Sequence, residues 1–289
     1  MVVIATPSLL IPGTTTEGAQ MVTLVALILG VFTAIEYGAR YPGLVEFRDA
    51  APFNRVRVIA LLLMLFGCSA IAGFDPNEST LVMVISALGF LVGRALDFGM
   101  SPLTLVLEHL PQGVNSRTAE QVQAMAGLSM LITLIALFIF SALIRLERWP
   151  NRNNPFNVWV NLPTFDPTAG GDVIKRLRRD GQVNIIFGLF APFVIPVVAV
   201  MGANQLQVPV LASPHTMVWA IVIWMFLPLS LVMRGQAMLR ISNMIRARRA
   251  RLVAGLNGDQ PVDISASAVA RSRQAWSWSA LLPRRWRTQ

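Results

Sequence analysis

Charge is scarce in this sequence. Asp, Glu, Lys and Arg make up 13% of its 289 residues, against about a quarter in a soluble domain. Hydrophobic residues supply 54% and the mean hydropathy is +0.58. That composition leaves too little polar surface to face water on all sides, which excludes an ordinary soluble domain. Cysteine is nearly missing too. The single Cys68, inside an apolar run, rules out an intrachain disulfide and a cysteine metal site. Histidine occurs twice, at His109 and His215. Neither these two nor Asp75, Glu78 and Glu108 have a spacing that demands an ion, so no metal and no other cofactor is expected. Lysine occurs once, at Lys175.

Signature motifs are missing as well. No G-x-x-x-x-G-K-[ST], G-x-G-x-x-G, G-x-S-x-G or H-E-x-x-H occurs, which removes nucleotide-cradling loops and the common hydrolase patterns. An intramembrane enzyme needs an acid, base or nucleophile set at one depth. Glu108 with His109 is the nearest approach, and adjacent residues do not share a helix face. The expectation is a protein without catalytic residues. Residues 1–17 lack the basic start and long apolar core of a signal peptide. Pro7 and Pro12 argue against a helix there.

What the chain has in quantity is apolar sequence. Uncharged runs occupy residues 18–35, 58–74, 79–93, 98–107, 121–144, 183–201 and 217–233. The class is an all-α, polytopic integral membrane protein. Its net charge is +9 with pI about 11.3. On a soluble domain that balance would suggest nucleic acid. Here it fits basic cytoplasmic loops, and no nucleic-acid partner is expected.

The placement of positive charge sets the threading. Four Arg lie in 36–57 (Arg40, Arg48, Arg55, Arg57), seven positives in 145–182, and eleven from Arg234 onward, so 22 of 24 fall in three segments. The positive-inside rule puts all three in the cytoplasm. Residues 58–74 and 121–144 each read as a full crossing, so 79–107 must enter and leave on one side. Its uncharged arms are short, about 22 Å and 15 Å at 1.5 Å per residue, against a core of about 30 Å. The reading is five transmembrane helices plus a re-entrant helical hairpin, or seven spans, with the N-terminus outside and the C-terminus cytoplasmic. A competing six-span threading makes 79–98 a crossing and forces one basic segment outside.

The domain plan follows. Residues 1–17 are an external segment and 18–144 an N-terminal bundle with the hairpin at 79–110. Residues 145–182 form a basic cytoplasmic loop, 183–239 a C-terminal helical pair, and 240–289 a basic tail. The expected location is the cell membrane, multi-pass, of bacterial cytoplasmic (inner) membrane type.

Arg94 and Asp97, three apart at the hairpin tip, are the candidate intramembrane polar site. They either face a wet cavity or neutralise each other at a helix end. Glu36 precedes Arg40 by four residues, the favourable order for a helical ion pair, but the two read first as a helix-end anchor. Gly89-x-x-x-Gly93 and Gly30-x-x-x-Ala34-x-x-x-Gly38 are small-residue ridges that allow close helix approach. Pro192, Pro196 and Pro228 predict kinks. In the loop, Phe156, Val158, Val160 and Leu162 alternate as in an extended segment, Asp166-Pro167 and Gly170-Gly171 make a turn, and Asp172 caps a short basic helix. Candidate lipid or partner contacts are Lys175, Arg176, Arg178 and Arg179 there. In the polybasic tail they are Arg246, Arg248, Arg249, Trp276, Trp278 and Trp286. The last helix is expected to run past Arg234 into that tail.

No family resemblance emerges, so function rests on class. The first expectation is a non-catalytic assembly, scaffold or accessory subunit of a membrane complex. Its partners would be anionic headgroups of the bilayer and another membrane protein or a second copy. The alternative is a small-solute or ion transporter or channel with its pathway at Arg94 and Asp97.

Overall fold

The computed structural model describes residues 1–74, 79–108, 110, 115–146, 149–150, 161–166, 168, 170–206 and 213–256. Residues 1–241 form one compact unit and 242–289 a second. The helices are α1 (Val2–Leu10), α2 (Thr16–Gly38), α3 (Phe53–Gly73), α4 (Thr80–Leu96), α5 (Pro102–Glu108), α6 (Ser116–Leu146), α7 (Val173–Leu206) and α8 (Pro214–Leu256). Among the described residues there is no strand. Five helices, α2, α3, α6, α7 and α8, are long and apolar enough to cross a membrane, and α4 is a shorter apolar helix. Bilayer length explains the division. A crossing needs about 20 apolar residues, which α4, at 17 residues, falls short of.

The contacts fix the directions. On α3 and α6, Ile71 receives the amide of Gln121, and Cys68 lies against Met125 and Ser129, so the two helices are antiparallel. On α4 and α6, Gly89 faces Ala124 while Gly93 faces Gln123, again antiparallel. α3 and α4 therefore run the same way. α7 and α8 are antiparallel, with Gly181 on Gly235 and Leu239, and Gly188 on Val232. Trp224 Nε1 donates to the Pro192 carbonyl at 2.8 Å, an acceptor with no i+4 amide because Pro196 lacks one. The five long helices alternate in direction. One end of the bundle carries Thr16, Gly73 and His215 and is called here the Thr16 end. The other carries Gly38, Phe53 and Arg234 and is called the loop end.

Glycine makes the α4–α6 contact. A Cβ on Gly127 would fall inside the backbone of Gly89 and Gly93. The Gly89–Gly93 ridge is thus used within the chain. In the other ridge, Gly30 faces Met1, the residue before α1, and Gly38 faces open space.

Two expectations about helix limits are corrected. α1 forms despite Pro7, which is buried inside it. Proline removes a single i→i−4 bond, while Thr6 Oγ1 donates to the Val2 carbonyl at 2.9 Å and Ile11 N–H to Pro7 at 2.9 Å. The basic helix after Asp172 is not short. Asp172 Oδ1 does accept from Ile174 N–H at 3.2 Å, but the helix continues for 34 residues into the apolar run. Gly181, the weak helix former between Arg179 and Val183, packs on Gly235 and Leu239, and Leu177 is fully buried, so the helix is anchored to the bundle rather than laid on a surface.

Candidate functional site at the loop end

The buried charge of this protein collects at the loop end, and loop 39–52 organises it. α2 ends at Gly38 and Ala39 turns extended (φ −67°, ψ 143°). Arg40 therefore leaves the helix before it can meet Glu36. The Glu36–Arg40 pair that helical spacing would allow is absent among the described residues, and Arg40 is exposed. Glu36 instead folds under the loop. Its Oε2 accepts the N–H groups of Gly43, Leu44 and Val45 at 3.0, 2.9 and 3.0 Å. Arg48 serves the opposite pole. Its Nη1 donates to the carbonyls of Glu36, Tyr37 and Ala39, which the helix end leaves unpaired, while Nε pairs with Asp49 at 3.0 Å.

The central ion pair joins residues 188 apart. Arg234 of α8 grips Glu46 in a fork, Nε to Oε2 at 2.7 Å and Nη2 to Oε1 at 2.8 Å. Thr164 donates to Glu46 Oε1 at 2.7 Å, and Arg234 Nη1 donates to Asn184 Oδ1 of α7 at 3.3 Å. Asn54 Nδ2 holds the Glu46 carbonyl at 2.8 Å. Such a bidentate, charge-assisted pair fixes orientation as well as adding energy. One turn into α3, half-buried Arg57 lies over the rings of Phe53 (5.3 Å) and Phe226 (5.7 Å) and donates from Nε to Ser230 at 3.3 Å.

An aromatic cluster seals the lock beneath. Phe47, Phe53, Phe140 and Trp149 form a closed circuit with centroids 4.4 to 5.8 Å apart. Phe47 is completely buried in the left-handed region, φ 53°. That conformation costs a bulky residue about 1 kcal/mol or more, so the surroundings must impose it. Phe47 N–H donates to the Asn161 carbonyl at 2.7 Å, and Asn161 Oδ1 accepts from Asp49 N–H at 3.1 Å. Trp149 Nε1 donates to Ala50 at 3.0 Å and Arg240 Nε to the Trp149 carbonyl at 3.1 Å.

The residues singled out from sequence lie elsewhere. Arg94 and Asp97 end α4, both exposed, and no ion pair joins them among the described residues. Asp97 Oδ1 accepts from Thr104 Oγ1 at 2.7 Å, across the turn to α5. Lys175, Arg178 and Arg179 are exposed on α7. Arg179 pairs with Asp180 (3.1 Å), and Arg176 lies over Phe165 (4.8 Å). Arg246, Arg248 and Arg249 are exposed on the helical part of the second unit. His215 Nε2 is 3.1 Å from Thr14 Oγ1. His109, Phe156, Val158, Val160, Trp276, Trp278 and Trp286 lie outside the described residues. Leu162 is fully buried, and Asp166 Oδ1 accepts from Thr168 N–H at 2.8 Å in the expected turn.

Sequence reasoning missed Glu46, Asn184, Thr164 and Ser230. One signal was available. Gly235-Gln236-Ala237-Met238-Leu239 carries the apolar pattern past Arg234, which marks this arginine as a bundle residue rather than the start of a tail. No family model, curated protein or solved structure matches this chain.

Proposed function

We propose that this chain is a non-catalytic assembly, scaffold or accessory subunit of a complex in the bacterial cytoplasmic membrane. It crosses five times, with the Thr16 end outside and the loop end cytoplasmic, and α4 is a partial, re-entering element. The parallel run of α3 and α4 supports that threading, since α4 then heads back to the end where α3 finishes. The bias of positive charge toward segments at the loop end supports the sidedness.

The observation that carries the function is how the charges are spent. Glu36, Glu46, Arg48 and Arg234 are all consumed by structural bonds that tie loops to helix ends. A group occupied on this scale is a fastening, not a reagent. The outer helices meanwhile present broad apolar surface, only 6% of the α2 window and 11% of the α7 window being buried within the unit.

The test is purification of the tagged full chain in two mild detergents. A second membrane protein should co-elute at one fixed stoichiometry in both, and should be lost from a Leu24→Ala, Ile28→Ala variant on the exposed face of α2 that itself stays monodisperse. A partner unaffected by that change, or a lone chain in both detergents, would refute the reading.

A further inference from the structure

α8 is the most buried of the long helices, with 56% of its apolar window covered. One strip of it is not. Ile223 and Leu227 are each 47% exposed, and Ser230 and Arg234 continue the same face at helical spacing toward the loop end. Helices bound the strip on both sides. On one side α3 approaches through Arg57, which meets Phe226 and Ser230. On the other lies α7, through Trp224 on Pro192 and Gly188 against Val232. Ile223 and Leu227 therefore form an exposed apolar strip flanked by α3 and α7, called here the crevice.

Charge closes the crevice at the loop end. Glu46 is paired with Arg234, and among the described residues no ion pair joins it to Arg57. Arg234 is fully engaged by Glu46, Asn184 and Thr164. Arg57 is not. Its Nε reaches Ser230, and among the described residues Nη1 and Nη2 donate to no protein acceptor. A half-buried guanidinium with four of its five donors unspent is suited to a tetrahedral anion. It sits one turn inside α3, against Phe226 and Ser230 at the loop-end side of the apolar strip.

We propose that this crevice binds one anionic phospholipid, its phosphate on the Nη atoms of Arg57 and an acyl chain along Ile223 and Leu227. The site is independent of the scaffold reading, since it needs neither a partner protein nor catalysis.

Native mass spectrometry of the full chain, with phosphatidylglycerol, phosphatidylcholine or inorganic phosphate added, decides the matter. Wild type should retain one more phosphatidylglycerol than phosphatidylcholine, with a preference of about tenfold, and millimolar phosphate should not displace it. Arg57→Gln should lose that lipid by removing the anion contact, and Leu227→Trp should lose it by filling the apolar strip while leaving Arg57 in place. Arg55→Gln, an exposed neighbour, should keep it. Retention in Leu227→Trp, equal loss in Arg55→Gln, or displacement by free phosphate would each overturn the proposal. Should Arg57→Gln fail to fold, Leu227→Trp and the wild-type headgroup comparison still decide.

Discussion

At the scale of single residues, the loop end depends on charges that have no spare partners. Removing the Glu46 carboxylate leaves Arg234 half-buried beside Arg57 with nothing to offset either. Glu46→Gln is expected to destabilise by about 2 kcal/mol, read as a lower melting temperature in detergent. Arg234→Gln should cost a similar amount, and the double variant little more than either alone, because the two report one interaction. Glu36→Ala is expected to free the backbone of residues 43–45, since three N–H groups lose their acceptor together. Limited proteolysis should then cut loop 39–52, while Arg40→Ala leaves it intact. Asp97→Asn removes only an exposed charge, because the amide Oδ1 can still accept from Thr104. Its melting temperature should stay close to wild type, and proteoliposomes carrying either protein should show the same solute leak.

At the scale of elements, the closest contact is made of glycines, and the expected consequences are unequal. Gly127→Ala puts a methyl into the backbone of α4 and should cost about 1–3 kcal/mol or prevent accumulation. Gly38→Ala meets open space and should be silent by the same melting assay. Much of this scale was legible beforehand. The apolar runs located the long helices, Asp172 marked a real N-cap, and the Gly89–Gly93 ridge pointed to close packing. What stayed hidden was long-range. Nothing near Glu46 announces an arginine 188 residues later, and nothing at Gly89 names Gly127 as its partner. Helical spacing from Glu36 to Arg40 has meaning only while the helix continues, and it stops at Gly38. Pro7 misled, since one lost hydrogen bond is a small term against burial on α3.

At the scale of the whole molecule, the threading turns on which end faces the cytoplasm. Single substitutions Glu17→Cys at the Thr16 end and Lys175→Cys at the loop end separate the cases, both positions being exposed. A membrane-impermeant maleimide applied to intact cells or spheroplasts should label Glu17→Cys, and should reach Lys175→Cys only after the membrane is opened. The opposite pattern would invert the proposed sidedness and would seat the crevice lipid in the outer leaflet. Equal labelling of both before permeabilisation would mean an even number of crossings.

The native thiol makes that experiment unusually clean. Cys68 has no exposed surface and is pressed between α3 and α6, with Ser129 at 3.3 Å. The unaltered protein should therefore be dark to such dyes, so no cysteine-free background has to be built. Any slow gain of colour by wild type on warming would time the parting of those two helices, giving the molecule an internal clock for its own opening.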